Sequence, residues 1–179
     1  FTPMQMAKYT AMIANGGKNL YVSIIKSINN PDGTQVTKND MNSYINNLLG
    51  ISGNSGSDLS LSDDTLSAVR AGMKGVTSDD GGTAYKYFKD FNIEVGGKTG
   101  SASVTNGTNA WFVGFAPFDN PEIAVAVYVK NGEHGGYTAP VARAIFAQYL
   151  GMNASQITED TTATSQMQSV RWGYRISKT

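Results

Sequence analysis

Val95-Gly96-Gly97-Lys98-Thr99-Gly100-Ser101-Ala102 is the stretch on which the reading of this chain turns. Taken alone, the triplet Lys98-Thr99-Gly100 is short enough to recur by chance as a tight turn with a solvated lysine. Gly97-Lys98-Thr99 also spells the end of a phosphate-binding loop. That motif needs a glycine five residues before Gly97, where Asn92 stands, and a helix directly after the lysine. Here the chain continues as Ser101-Ala102-Ser103-Val104-Thr105, which reads as a strand. The segment is therefore expected to be extended, over Ile93 to Val104.

The flanking sequence keeps the same period. Ala110 to Ala116 and Glu122 to Lys130 are two further strand candidates, joined through Asn106-Gly107 and Asp119-Asn120-Pro121. Connections this short allow only antiparallel neighbours, because a parallel crossover needs a dozen or more residues. Ala139 to Leu150 is an apolar helix that can cover one face of the sheet. Upstream, Thr2-Pro3-Met4-Gln5 opens a helix with a capping box, with Met6, Tyr9 and Ile13 on one face and Asn15-Gly16-Gly17 as its stop. Leu20 to Ile28 is rich in Val, Ile and Tyr and reads as a strand. It returns through the turn Asn30-Pro31-Asp32-Gly33 into Thr34 to Thr37. Met41, Tyr44, Ile45 and Leu48, closed by Gly50, have helical spacing. So do Leu66, Val69 and Met73 behind the cap Ser62-Asp63-Asp64. Asp79-Asp80-Gly81-Gly82-Thr83 reads as the capped start of a short helix through Phe88. The expected fold class is α+β: an antiparallel sheet flanked by helices.

Composition excludes several functions. Among 179 residues, 14 Lys and Arg balance 14 Asp and Glu, so there is no basic excess of the kind nucleic acid requires. With no cysteine there is no disulfide, thiolate nucleophile or Cys-based metal site, a composition that fits an extracytoplasmic setting. His134 is the only histidine, in a Gly-rich loop with no Ser or Asp partner at a telling place, and reads as a solvated loop residue. No metal or cofactor is called for. Asp79-Asp80 reads as helix capping rather than as paired catalytic acids, and Trp111 and Phe112 as packing residues; Phe115 and Tyr137 read as core residues or as part of a cleft. No stretch is apolar enough to span a bilayer. The chain opens on Phe1 at a helix start, so it is expected to be part of something longer. Residues 1–151 are expected to form one incomplete domain. Residues 152–179 turn to Thr, Ser, Gln and Asn, ending in Arg171-Trp172-Gly173-Tyr174-Arg175, and read as a flexible polar tail.

In order along the chain come Thr2 to Ala7, Ile13 to Gly17, Tyr21-Val22 with Pro31-Asp32-Gly33, and Gly82-Thr83-Ala84. Gly97 to Ala102, Ala110-Trp111-Phe112-Val113-Gly114-Phe115-Ala116-Pro117, Glu122 to Val129 and Ala139-Pro140-Val141-Ala142 follow. As an ordered set this resembles the C-terminal half of the transpeptidase domain in class B penicillin-binding proteins, of the penicillin-binding protein 2 type. Lys-Thr-Gly is one of that fold's three signatures, beside S-x-x-K and S-x-N. The resemblance implies a peptidoglycan D,D-transpeptidase working through a serine acyl-enzyme. The stem peptides are then its substrates and β-lactam antibiotics its acylating mimics. In that reading Lys98 supplies charge to the cleft, while Thr99 and Ser101 offer hydroxyls to a substrate carboxylate. Gly100 lets a peptide approach the strand. Ser101 also gives a backbone N–H to the oxyanion, and Ala102 completes the binding strand. The serine nucleophile and its lysine are expected upstream of Phe1, with a membrane anchor there holding the domain on the extracytoplasmic face of the bacterial membrane. The upstream half of the same domain and a membrane glycosyltransferase are the implied partners.

Three look-alikes inside the chain, Ser23-Ile24-Ile25-Lys26, Ser27-Ile28-Asn29 and Ser52-Gly53-Asn54, lack the helix start that puts Ser and Lys one turn apart. Two other readings stand beside the enzyme half. One is a non-catalytic module of the same fold that binds peptides or partner proteins. The other is a β-lactamase relative, which would need a deacylating carboxylate that no segment here supplies.

Overall fold

The computed structural model describes residues 1–152 except 21, 23, 26 and 51–57. Three antiparallel strands form its centre: β1 (Gly96–Val104), β2 (Gly107–Ala116) and β3 (Ile123–Val129), in the order β1-β2-β3. The register pairs Lys98 with Val113 and Gly100 with Trp111, then Phe112 with Val127. The expected strands are present. The first begins at Gly96 rather than Ile93, and the second extends back to the turn at Gly107.

Alternation along the strands sorts their side chains onto two faces. Phe115 lies on one face, in a cluster with Ile13 and Ala14 of helix α1 (Pro3–Ala14) and Met73 of helix α3 (Asp63–Ser78). Phe112, fully buried, lies on the other. There it meets Phe88 of helix α4 (Tyr85–Phe88), with ring centroids 5.8 Å apart, and shares a cluster with Phe146 of helix α5 (Ala139–Tyr149). The sheet is thus covered by helices on both sides, the α+β architecture the sequence implies.

Helix ends follow from their caps. Thr2 and Gln5 form the reciprocal capping box of α1, and Ser62 accepts from the Thr65 N–H at the head of α3. Arg70 of α3 fastens α1 in place. Its guanidinium donates to the Ala14 carbonyl at 2.8 Å and to the Phe118 carbonyl at 2.5 Å, while lying over the rings of Phe115 and Phe118. Arg143 does the same for α5, donating to the Tyr87 carbonyl at 2.6 Å and to Asp90 at 2.9 Å.

Several expectations fail. Among the described residues of 20–37 there is no strand, only an isolated bridge between Asn29 and Gln35 around the expected turn. Ile24, Ile25 and Ile28 are exposed. Tyr9, Tyr44, Leu48 and Val69 hold the predicted helical positions but face outward; Tyr44 and Leu48 belong to helix α2 (Lys38–Leu49). Asp79 closes α3 instead of capping α4, whose first residue follows Ala84 with no side-chain cap. The tight link between those two helices depends on Gly82. A Cβ there would fall 2.6 Å from the Val76 carbonyl oxygen, at the end of α3.

Candidate functional site

The two glycines before Lys98 have a steric reason to be glycine. A Cβ on Gly96 would lie 2.7 Å from Cε1 of Phe115, and one on Gly97 would lie 2.6 Å from Cζ of Phe112. One ring therefore presses on each face of β1 immediately ahead of the lysine. The buried Thr77 hydroxyl of α3 donates to the Val95 carbonyl at 2.5 Å, fixing the chain as it enters the strand.

Beyond the glycines the faces separate the motif's side chains. Lys98 is exposed on the Phe115 side, and its ammonium donates to the Thr99 carbonyl at 2.6 Å. Among the described residues no carboxylate pairs with it. Thr99 and Ser101 point to the opposite face, but their surroundings differ. Thr99 is buried, with its hydroxyl 2.7 Å from that of Thr83 in the link between α3 and α4. Ser101 is exposed and accepts a 2.9 Å hydrogen bond from the Gly135 N–H. Gly100 is nearly free of steric demand on its own side, where a Cβ would meet only the Trp111 Cβ at ordinary contact distance. Ala102 is exposed further along the strand.

One edge of β1 pairs with β2; the other carries no strand among the described residues. An unpaired edge bearing a cation and an exposed hydroxyl offers an extended peptide both main-chain hydrogen bonds and an anchor for a terminal carboxylate.

Sequence reasoning missed the parts that hold the motif. Thr83 lies sixteen residues from its partner Thr99, and no periodicity links them. Gly135 presses against Gly100 so closely that a Cβ would come within 2.7 Å of the Gly100 nitrogen. The Gly135-Gly136 pair was the available signal for such an approach. His134 is exposed, as expected, but it is not idle: its Nδ1 accepts from the Gly136 N–H at 3.0 Å. Ser23 and Lys26, like Ser52 to Asn54, lie outside the described residues. Ser27-Ile28-Asn29 is irregular chain ending in the isolated bridge.

The family described as penicillin binding protein transpeptidase domain matches residues 1–151. The chain belongs to that family. It is 31% identical over 173 residues to the peptidoglycan D,D-transpeptidase MrdA of Haemophilus influenzae, covering 87% of this chain and 25% of the relative. It is 36% identical over 142 residues to penicillin-binding protein H of Bacillus subtilis, covering 73% of this chain and 18% of the relative. In structure it is similar to Pseudomonas aeruginosa PBP2, solved in complex with WCK 5153. The TM-score is 0.63 at 31% identity, over 87% of this chain and 31% of that one. Penicillin-binding protein A of M. tuberculosis, solved as an imipenem acyl-enzyme complex, gives 0.63 at 26% identity over 84% and 31% of the two chains. The chain spans about a quarter of the length of the first of these curated relatives. The part of this penicillin-binding-protein family member that the family matches includes the sheet carrying Lys98 to Ser101.

Proposed function

We propose that this chain forms the Lys98-Thr99-Gly100 wall of a peptidoglycan D,D-transpeptidase whose serine nucleophile and its lysine lie in sequence upstream of Phe1. The observation that carries this reading is the free edge of β1, with Lys98 and Ser101 exposed on a strand of a transpeptidase-family sheet.

The chemistry is acyl transfer. The serine Oγ attacks the carbonyl carbon between the two terminal D-alanines, and the Oγ proton passes to a neighbouring base. The tetrahedral intermediate collapses with a proton delivered to the leaving nitrogen, releasing D-alanine and leaving an ester on the serine. An acceptor amine of a second stem peptide then attacks that ester, forming the cross-link and restoring the serine. A β-lactam opens its ring onto the same oxygen, and no leaving group departs. In this scheme Ser101 donates its hydroxyl to the terminal carboxylate, Lys98 sets the potential of the cleft, and the Ser101 N–H contributes to the oxyanion hole. Gly100 leaves the edge open, and Ala102 extends the pairing surface. Thr99 acts at one remove, since its hydroxyl is engaged by Thr83. The substrates are stem peptides and the inhibitors β-lactams. The setting is the extracytoplasmic face of the bacterial cell membrane, beside a membrane glycosyltransferase. Among the described residues no helix is long and apolar enough to cross a membrane.

The test is intact-protein mass after incubation with penicillin, on this chain and on a version extended upstream. An adduct only on the longer protein supports the reading. An adduct on this chain, mapped to Ser23, would place the nucleophile here instead. No adduct on either would indicate a non-catalytic module that binds peptides or partners.

A further inference from the structure

The link between β3 and α5 is more tightly organised than a solvated loop requires. The His134 N–H donates to the Gly132 carbonyl at 2.7 Å, and the Tyr137 N–H donates to the His134 carbonyl at 3.0 Å. The Thr138 hydroxyl, buried, donates to the Gly135 carbonyl at 2.6 Å. The Gly136 N–H is taken by the His134 ring through Nδ1, and the Gly136 carbonyl accepts from the Ala139 N–H. That leaves the Gly135 N–H, which points at the Ser101 Oγ. Just before the turn, Glu133 is held at a φ of 61°, a left-handed conformation rare outside glycine and asparagine. The Tyr137 ring lies edge-on to the imidazole, with centroids 5.7 Å apart.

A serine hydroxyl has one proton and two lone pairs. When the Gly135 N–H occupies a lone pair on the side of the loop, the Ser101 proton is left to point elsewhere, and Ser101 is exposed. The bond therefore sets which way the hydroxyl donates. His134 sets the bond, because a side-chain acceptor reaching the N–H two residues ahead is what closes this turn. It does the work that Asn or Asp performs in an Asx-turn.

We infer that His134 is a positioning residue for the transpeptidase site, orienting Ser101 toward a ligand carboxylate through the Gly135 N–H. The inference rests on the reading of Ser101 proposed above, and it concerns geometry rather than proton transfer by the imidazole.

The experiment uses the upstream-extended protein that penicillin acylates, and measures the second-order acylation rate for benzylpenicillin and for its methyl ester. H134A is expected to lower the rate with the free acid about fivefold and leave the ester rate nearly unchanged. H134N, whose amide oxygen can close the same turn, is expected to restore most of the rate. In an S101A background the histidine substitution should have no further effect, since the group it orients is gone. Equal losses with acid and ester, or a full H134A effect persisting in S101A, would overturn the inference and mark His134 as a purely structural residue. So would an H134A protein as fast as its parent. Failure of the parent itself to be acylated would overturn the transpeptidase reading, a result distinct from all of these.

Discussion

Residues 92–150 supply most of the core, whereas among the described residues of 20–61 only Met41 is buried. In the sheet region several aromatic rings meet a surface that receives them: Phe115 over Gly96, Phe112 over Gly97 and against Phe88, Trp111 beside Tyr128 at 4.6 Å. In the earlier region Ile24, Ile25, Ile28, Tyr44 and Leu48 are exposed, and the described strand pairing between 20 and 37 is an isolated bridge between Asn29 and Gln35. The difference teaches that β-branched composition makes a strand only where a second strand stands ready to pair with it.

The largest effect that would break this contrast is in the core. Phe112→Ala empties a fully buried site between two clustered helices and should cost about 3–5 kcal/mol. Ile24→Ala, at 89% exposure, should shift stability by no more than about 0.5 kcal/mol. Urea denaturation of the two variants checks both figures, and comparable losses would mean that residues 20–61 pack far better than described.

Next in size is Gly97→Ala. The new methyl must displace the Phe112 ring or the Thr77 methyl, at an expected cost of about 1–3 kcal/mol. Gly33→Ala meets nothing within 4 Å and is penalised only for its φ of 84°, about 1 kcal/mol. Arg70→Ala should cost about 1–3 kcal/mol as well, by leaving the Ala14 and Phe118 carbonyls without their donor. Amide exchange should then quicken first in α1, the helix that Arg70 fastens.

The smallest effect concerns Asp90. The hydrogen bond from Arg143 holds its carboxyl below the usual carboxylate range. Its contribution is therefore present above the ordinary carboxylate pKa and is lost as pH falls through the lowered one. Because the Asp90 side chain is 70% exposed, solvent screens the pair and the contribution is slight. Asp90→Asn should flatten this part of the acid limb of a stability–pH profile while changing little at neutral pH.

Much of this was legible in the sequence. The three strands, the caps of α1 and α3, the antiparallel order and the placing of Lys98 to Ser101 on a strand all follow from local pattern and short turns. What escaped is what depends on contact between distant residues. The Thr83–Thr99 pair, the seating of Gly135 on Gly100, and the role of His134 in its turn leave no periodic trace. Among the described residues of 20–28 the expected strand is absent for the same reason, since no local pattern reports whether a neighbour is present. Tyr9 and Val69 show the converse: a helix was rightly inferred, but the side facing the sheet is chosen by the sheet.

The ring-over-glycine pairs at Gly96 and Gly97 also bear on how the protein finds its structure. Sliding β1 by one residue along β2 would exchange its faces, which burial already forbids. Sliding it by two would keep the faces, and hydrophobicity alone could not reject that alignment. It would, however, bring Lys98 and Thr99, with their Cβ atoms, beneath rings that now rest on glycine. The glycine pair thus works as an index mark, by which a folding chain can tell the native alignment from its nearest plausible mistake.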